Sequence, residues 1–152
     1  MKNRIRSAEK KDLDILVDLM GEFYNESGFK LDKTRSRDAF KHLISNSSLG
    51  NVWLFEEEDT PVGYMVLTLC FSMEYGGKDA FLDDLFIKNK YRGAGLGKKA
   101  LKMFFETCKK LDVCAVHVEV GRSNIEAKGL YKRFGFKDND RLLLTSRLKD
   151  PL

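Results

Sequence analysis

The chain has 152 residues, 43% apolar and 33% charged, with a formal net charge of +4. That length fits one domain, 1–152, with a single core, and the apolar content excludes a disordered chain. The charge excess is small and scattered, so it does not point to a nucleic-acid partner.

In chain order, a short segment around Ile5 reads as an edge strand. Leu13, Leu16, Val17 and Met20 recur at helical spacing, and Asp12 has the chemistry of an N-cap, so a helix is expected from Asp12 to Glu26. A second helix is expected over Ser36–Ser45, with Ala39, Phe40, Leu43 and Ile44 inward. Val52–Glu56 reads as a strand, Glu57–Pro61 as a turn, and Val62–Ser72 as a long strand that contains Gly63. Gly76-Gly77 turns the chain into a third strand, Ala80–Lys88. The polar loop Asn89–Gly97 follows. Leu96, Ala100, Phe104 and Cys108 then fall on one face of an amphipathic helix that reaches Leu111. Val113–Val120 alternates as a strand, Ser123–Arg133 reads as a short helix stopped at Gly135, and Phe136 and Leu142–Leu148 are expected to supply the last strands. A meander followed by β-loop-α-β-α-β predicts an α/β (α+β) sheet with helices on both faces.

Cys70, Cys108 and Cys114 are odd in number and lack metal-ligand spacing, which fits reduced thiols rather than a disulfide framework. His42 and His117 also have no partner at metal-ligand spacing, so no metal is expected. Met1–Lys11 has no apolar h-region, and the longest apolar run, Tyr64–Phe71, is too short for a bilayer span. A cytoplasmic protein with no membrane partner is the expectation.

The most informative stretch is Arg92-Gly93-Ala94-Gly95-Leu96-Gly97, between a strand and a helix. Alternate glycines permit a tight turn and close approach of a ligand to the backbone. The helix start adds unpaired N–H groups and the positive end of the dipole, which together suit a diphosphate. Arg92, Lys98 and Lys99 add positive charge. A plain glycine turn leading into a helix would carry the same residues. The dinucleotide fingerprint does not fit, because it needs Gly-x-Gly-x-x-Gly in a parallel βαβ unit. The nucleotide-triphosphate loop does not fit either, because no Gly-Lys-Ser/Thr ending is present.

Three ordered blocks resemble the GNAT superfamily, the GCN5-related N-acetyltransferases. They are Phe81-Leu-Asp-Asp-Leu-Phe-Ile87, Tyr91-Arg-Gly-Ala-Gly-Leu-Gly97 and Asn124-x-x-Ala127-x-x-Leu130-Tyr131-x-x-x-Gly135-Phe136. The first block and its Tyr-Arg-Gly sequel are similar to those of diamine and polyamine N-acetyltransferases. The resemblance implies a mixed, mostly antiparallel sheet with a splayed pair of strands, and acetyl-CoA as co-substrate. By the same resemblance Leu85, Phe86 and Ile87 would pair with the pantetheine arm. A backbone N–H near Phe86 would polarise the acetyl carbonyl, in the manner of an oxyanion hole. Arg92, Gly93, Ala94, Gly95, Leu96, Gly97 and Lys98 would cradle the pyrophosphate. Asn124 would bond the pantetheine arm or serve as a helix N-cap, and Tyr131 would protonate the departing thiolate.

The base is left open among Asp83, Asp84, Glu119 and water. Strand alternation places Asp83 and Asp84 on opposite faces, which argues against a paired acid and base. A glutamate typical of the histone-modifying branch is replaced by Phe81. Glu22, Glu26, Glu74, Asp83 and Asp84 together would form an acidic mouth that attracts a cationic amine. The expected partner is a small-molecule amine, with a homodimer as a further expectation. A protein N-terminal or lysine acetyltransferase, and a non-catalytic acyl-CoA-binding module, are the alternatives.

Overall fold

In the computed structural model, which describes residues 2–149, the chain divides after Glu119 into two units. The first is built on five strands in the order β1-β2-β3-β4-β5. These are β1 (Asn3–Ser7), β2 (Gly50–Glu57), β3 (Thr60–Ser72), β4 (Gly77–Ile87) and β5 (Ala115–Val118). The first four pair antiparallel, and β5 joins β4 in parallel. The β2–β3 turn has Glu58 and Asp59 at φ 49° and 64°, the left-handed pair that suits the twist of a two-residue hairpin.

Alternation along β2 assigns the two faces. Val52 and Leu54 enter a cluster with Leu13, Leu16, Val17 and Leu19 of α1 (Leu13–Ser27), Phe40 of α2 (Lys33–Ser45), and Tyr64, Val66 and Phe86 of the sheet. Trp53 points the other way, toward Phe104 of α3 (Leu96–Lys110), with ring centroids 6.4 Å apart. The buried residues of α3 are Leu96, Ala100, Leu101, Phe104 and Cys108, the stripe expected from its periodicity. The mixed sheet with helices on both faces therefore stands as expected.

Several boundaries differ for physical reasons. Asp12 sits at the head of α1 but does not cap it with its side chain. Its carboxylate instead takes a fork from Arg6, Nη1 to Oδ2 at 2.8 Å and Nη2 to Oδ1 at 2.9 Å, and also accepts the Glu9 N–H. Arg6 is tied as well to Glu56 on β2, at 2.6 Å. Helix α2 starts a turn before the expected Ser36 because Asp32 accepts the Arg35 N–H at 3.1 Å and caps it. Strand β5 is shorter than the expected Val113–Val120.

The second unit contains α4 (Ile125–Arg133), and Gly135 at φ 87° ends it. The strands expected at Phe136 and over Leu142–Leu148 are not formed, since residues 136–149 carry no strand. Leu142, Leu143, Leu144 and Leu148 are all exposed. β-Propensity alone does not make a strand without a ladder partner and a surface to cover.

The Arg6–Asp12 pair is a stability device with a defined pH range. Chiefly the hydrogen bonds from Arg6, with the Glu9 N–H, hold Asp12 below its ordinary range against the cost of its burial. A depressed carboxylate stabilises the fold above its unfolded value of about 4 and loses that contribution as pH falls through the lower folded value. Asp12→Ala should cost about 2 kcal/mol at pH 7, because it removes the Arg6 fork and the acceptor of the Glu9 N–H while Glu56 keeps its bond to Arg6. Urea unfolding at pH 7 and at pH 3 checks this, with a smaller difference expected at the lower pH.

Candidate active site

The site begins where two parallel strands part. The β4–β5 ladder runs only from Asp79–Ala115 to Leu82–Val118, while β4 continues to Ile87. On its other edge β4 slips register against β3 at the same level. Val66 pairs with Asp84 and Leu67 with Leu82, which leaves Asp83 as the extra residue of a β-bulge.

Beyond the bulge the backbone directions can be read out. The Lys88 N–H donates to Val62 O on β3 at 2.8 Å. The Phe86 carbonyl also faces β3, since a Cβ on Gly63 would lie 2.3 Å from its oxygen. Gly63 is therefore required for that close approach. Alternation then turns the backbone groups of Leu85 and Ile87 toward the gap beside β5. The outward Ile87 carbonyl accepts the Arg92 Nε–H at 2.7 Å. The outward N–H donors in this stretch belong to Leu85 and Ile87.

Asp84 lies on the face of α1 and α2. It accepts the Tyr64 hydroxyl at 2.7 Å inside an aromatic surround. Phe86 stacks on Phe23 at 5.5 Å, and Phe40 meets Tyr64 edge-on at 5.7 Å. Burial pushes the Asp84 carboxyl up to about 6; Asp83 adds to the rise and the Tyr64 hydroxyl opposes it. Asp83 is also raised by desolvation, but its side chain is solvent-exposed, so water screens much of that effect. The bulge interrupts the alternation that put the two aspartates on opposite faces. Both carboxylates lie within electrostatic reach of the Tyr24 and Tyr64 phenols, which are raised first by burial and then by these charges. Glu119 is the exposed residue just beyond the last β4–β5 pair.

The glycine loop leads into α3. Gly93 and Gly95 adopt φ 79° and 85°, in the left-handed region that favours glycine. Gly95 occupies the N-cap and has no side chain to cap with, while the Lys99 N–H reaches its carbonyl at 3.0 Å. The N–H groups of Leu96, Gly97 and Lys98 thus lack an intrahelical acceptor by helix geometry. Arg92 does not join this nest. Its Nη2 donates to Glu26 of α1 at 2.7 Å and its backbone N–H to Asn89 O at 3.1 Å. Lys99 is held by Asn3, at 2.6 Å to Oδ1, whereas Lys98 is exposed. Glu22 faces Lys88 at 3.6 Å. The expected acidic mouth therefore shrinks, because Glu22 and Glu26 are each met by a cation.

In the second unit, Asn124 caps α4 by accepting the Ala127 N–H at 3.1 Å, which leaves the NH2 side of its amide as a donor. Tyr131 lies edge-on to Phe136 at 5.5 Å, and burial raises its phenol above the ordinary value. Among the described residues no group of His, Cys, Asp and Glu is placed to hold a metal ion, and no helix is long and apolar enough to cross a membrane.

Sequence reading missed Tyr64 and Tyr24, whose relation to Asp84 depends on a strand pairing twenty residues apart. An aromatic residue inside a strand or a helix carries no local signal of such a partnership. A carboxylate raised by burial lowers stability as pH rises from its unfolded value through its folded one. Asp84→Asn should therefore stabilise the protein at pH 8 by about 2 kcal/mol and flatten the stability slope between about pH 4 and 6. Tyr64→Phe should raise the Asp84 carboxyl further, as read by carbon-13 titration of the side chain.

The sequence pattern of the Acetyltransferase (GNAT) family matches residues 14–136. A putative [ribosomal protein bS18]-alanine N-acetyltransferase of Bacillus subtilis is 26% identical over 136 residues, covering 90% of this chain and 82% of that protein. The spermine/spermidine N(1)-acetyltransferase of the same organism is 36% identical over 94 residues, covering 60% of this chain and 61% of that protein. An integron cassette protein from the mobile metagenome of Cole Harbour salt marsh superposes with a TM-score of 0.87 at 44% identity, over 97% of this chain and 91% of that one. The parted strands, the uncapped glycine turn and the match over most of the chain place this protein in the GNAT family of acetyltransferases.

Proposed function

We propose that the protein transfers the acetyl group of acetyl-CoA to the primary amine of a small cationic acceptor, by direct attack within one ternary complex. The observation that carries the donor half is the uncapped start of α3, where Gly95 caps with no side chain and Gly93 and Gly95 hold left-handed φ. In this reading the backbone of Gly93, Ala94, Gly95, Leu96, Gly97 and Lys98 binds the diphosphate of the donor. Arg92 serves by fastening the loop to β4 and α1. The outward backbone of Leu85 and Ile87, on either side of Phe86, pairs with the pantetheine arm. One of their N–H groups faces the acetyl oxygen, where charge grows in the transition state. By the family resemblance, the amide of Asn124 is assigned to the pantetheine arm. Tyr131, kept protonated by burial, supplies a proton to the leaving thiolate.

The acceptor half rests on Asp84 and Asp83. A carboxylate in a desolvated, aromatic-lined position is costly unless a cation meets it, and a substrate ammonium would do so. Asp84, Asp83 and Glu119, directly or through water, are the acidic groups we place around the amine as it sheds its proton. The chain matches a polyamine enzyme over Asp84's block, whereas the ribosomal-protein enzyme aligns over more of its length. The acceptor is therefore tested against both classes.

Release of coenzyme A should be measured with polyamines, aminoglycosides, amino acids and peptides with free N-termini. Turnover is expected with a polyamine or another dicationic amine; binding of acetyl-CoA without turnover on any amine would overturn the enzymatic reading. Gly95→Val should weaken acetyl-CoA binding about tenfold or more by calorimetry, since a β-branched side chain is strained at the φ of 85° that aims the loop amides. Tyr131→Phe should lower kcat about 100-fold. Asp84→Asn should raise KM for a dicationic acceptor about tenfold, and an unchanged KM would remove Asp84 from the acceptor site.

A further inference from the structure

A second polar pair lies on the same sheet face as Asp84, and the reading above does not use it. On β3, Tyr64, Val66, Thr68 and Cys70 alternate onto one face. Their partners across the ladder are Phe86, Asp84, Phe81 and Asp79, and the partner of Phe81 on β5 is His117. Asp79, Phe81 and His117 therefore continue the face that carries Asp84, up to the point where β4 and β5 part. Toward this end the face is less covered: Thr68, Phe81 and His117 are half-buried and Cys70 is exposed.

The His117 Nε2 lies 2.9 Å from Asp79 Oδ2. The ring is held between Phe81, at 5.0 Å, and Tyr75, at 5.6 Å. Asp79 is 8% exposed, and its other oxygen, Oδ1, is buried with no hydrogen-bond partner. A half-satisfied buried carboxylate is expensive. The imidazole is the one described side-chain partner of that carboxylate, so the pair fixes the orientation of the ring. With Nε2–H donated to Asp79, the neutral ring presents Nδ1 as an acceptor. An imidazole oriented from behind by a buried carboxylate, with its other nitrogen free to accept, has the arrangement of a general base.

We propose that His117 is the general base that deprotonates the acceptor's ammonium, and that Asp79 is its positioning residue. This rests on the reading of the protein as an amine acetyltransferase and names the group that takes the proton. Asp84 then serves as the counter-charge that seats the ammonium. Nδ1 of His117 takes one proton from the ammonium. The freed lone pair forms the C–N bond at the thioester carbonyl as the C–S pair leaves on sulfur, the second amine proton passes to the sulfur, and His117 releases its proton to water. One proton is thus released per acetyl transferred. The titratable groups beside His117 are Asp79 on β4, Cys70 opposite Asp79 on β3, Tyr75 in the β3–β4 turn and Glu119 just past β5; Asp79 makes the direct contact.

The test combines kinetics with an NMR reading of the imidazole tautomer. His117→Asn should lower kcat about 100-fold with acetyl-CoA affinity unchanged by calorimetry, and the loss should shrink at high pH, where the acceptor deprotonates unaided. Asp79→Asn should lower kcat by less than His117→Asn does, with acetyl-CoA affinity again unchanged. By nitrogen-15 NMR the His117 ring, assigned by its loss in His117→Asn, should hold its proton on Nε2 in the wild type and lose that tautomer preference in Asp79→Asn. Wild-type kcat in both variants would overturn the proposal, as would an unchanged His117 tautomer. A wild-type protein that binds acetyl-CoA yet acetylates no amine would defeat the underlying reading instead, and the NMR reading would still decide whether Asp79 orients His117.

Discussion

The structure turns on the interruption of β4 at Asp83. One residue too many against β3, and the end of pairing with β5 one residue earlier, occur at the same level of the strand. A regular ladder there would satisfy the Leu85 and Ile87 backbone and align Asp83 and Asp84 by simple alternation. The break instead leaves peptide groups directed into a gap and brings two carboxylates within reach of the same phenols. Bulges of this kind recur beside active sites because they re-aim side chains without dismantling the sheet.

The buried polar groups arranged around that break are not equivalent. Asp84 has a hydroxyl donor and aromatic walls, whereas Asp79 has an imidazole on one oxygen and nothing on the other. Asp12, far along the chain, is satisfied on both oxygens by Arg6. The last arrangement holds β1 against α1. Asp84 carries desolvation that the protein itself does not fully compensate, the state expected of a group that meets a charged partner, and Asp79 keeps one buried oxygen unpartnered.

Much of this was legible in the sequence because it depends on local pattern. The α3 stripe from Leu96 to Cys108, the Gly93–Gly95 turn and the long β3 strand all follow from spacing within a few residues. The structure agrees there to within a residue or two. What failed depended on pairing. Asp12 looked like a cap until Arg6, on a neighbouring strand, took its carboxylate. Leu142–Leu148 looked like a strand, but a strand needs a neighbour, and the composition of the segment does not say whether one is present. The bonds of Arg92 to Ile87 and Glu26 likewise leave no trace in the local pattern. The bulge at Asp83 leaves no mark in the sequence, since a two-aspartate run is equally compatible with regular pairing. The roles assigned to Tyr131 and Asn124 came from a motif rather than from geometry.

The capture of Arg92 and Lys99 by protein acceptors also bears on how the glycine turn attracts a ligand. With those two cations engaged, the hold on an anion proposed for the turn would come mainly from fixed peptide dipoles at close range, with Lys98 as a peripheral charge. Mobile ions attenuate forces between separated surface charges over about 8–10 Å but act weakly on direct contacts with backbone amides. Recognition built in this way tolerates changes in ionic strength and in surface lysine content, and depends instead on the two left-handed glycines that hold the amides in place.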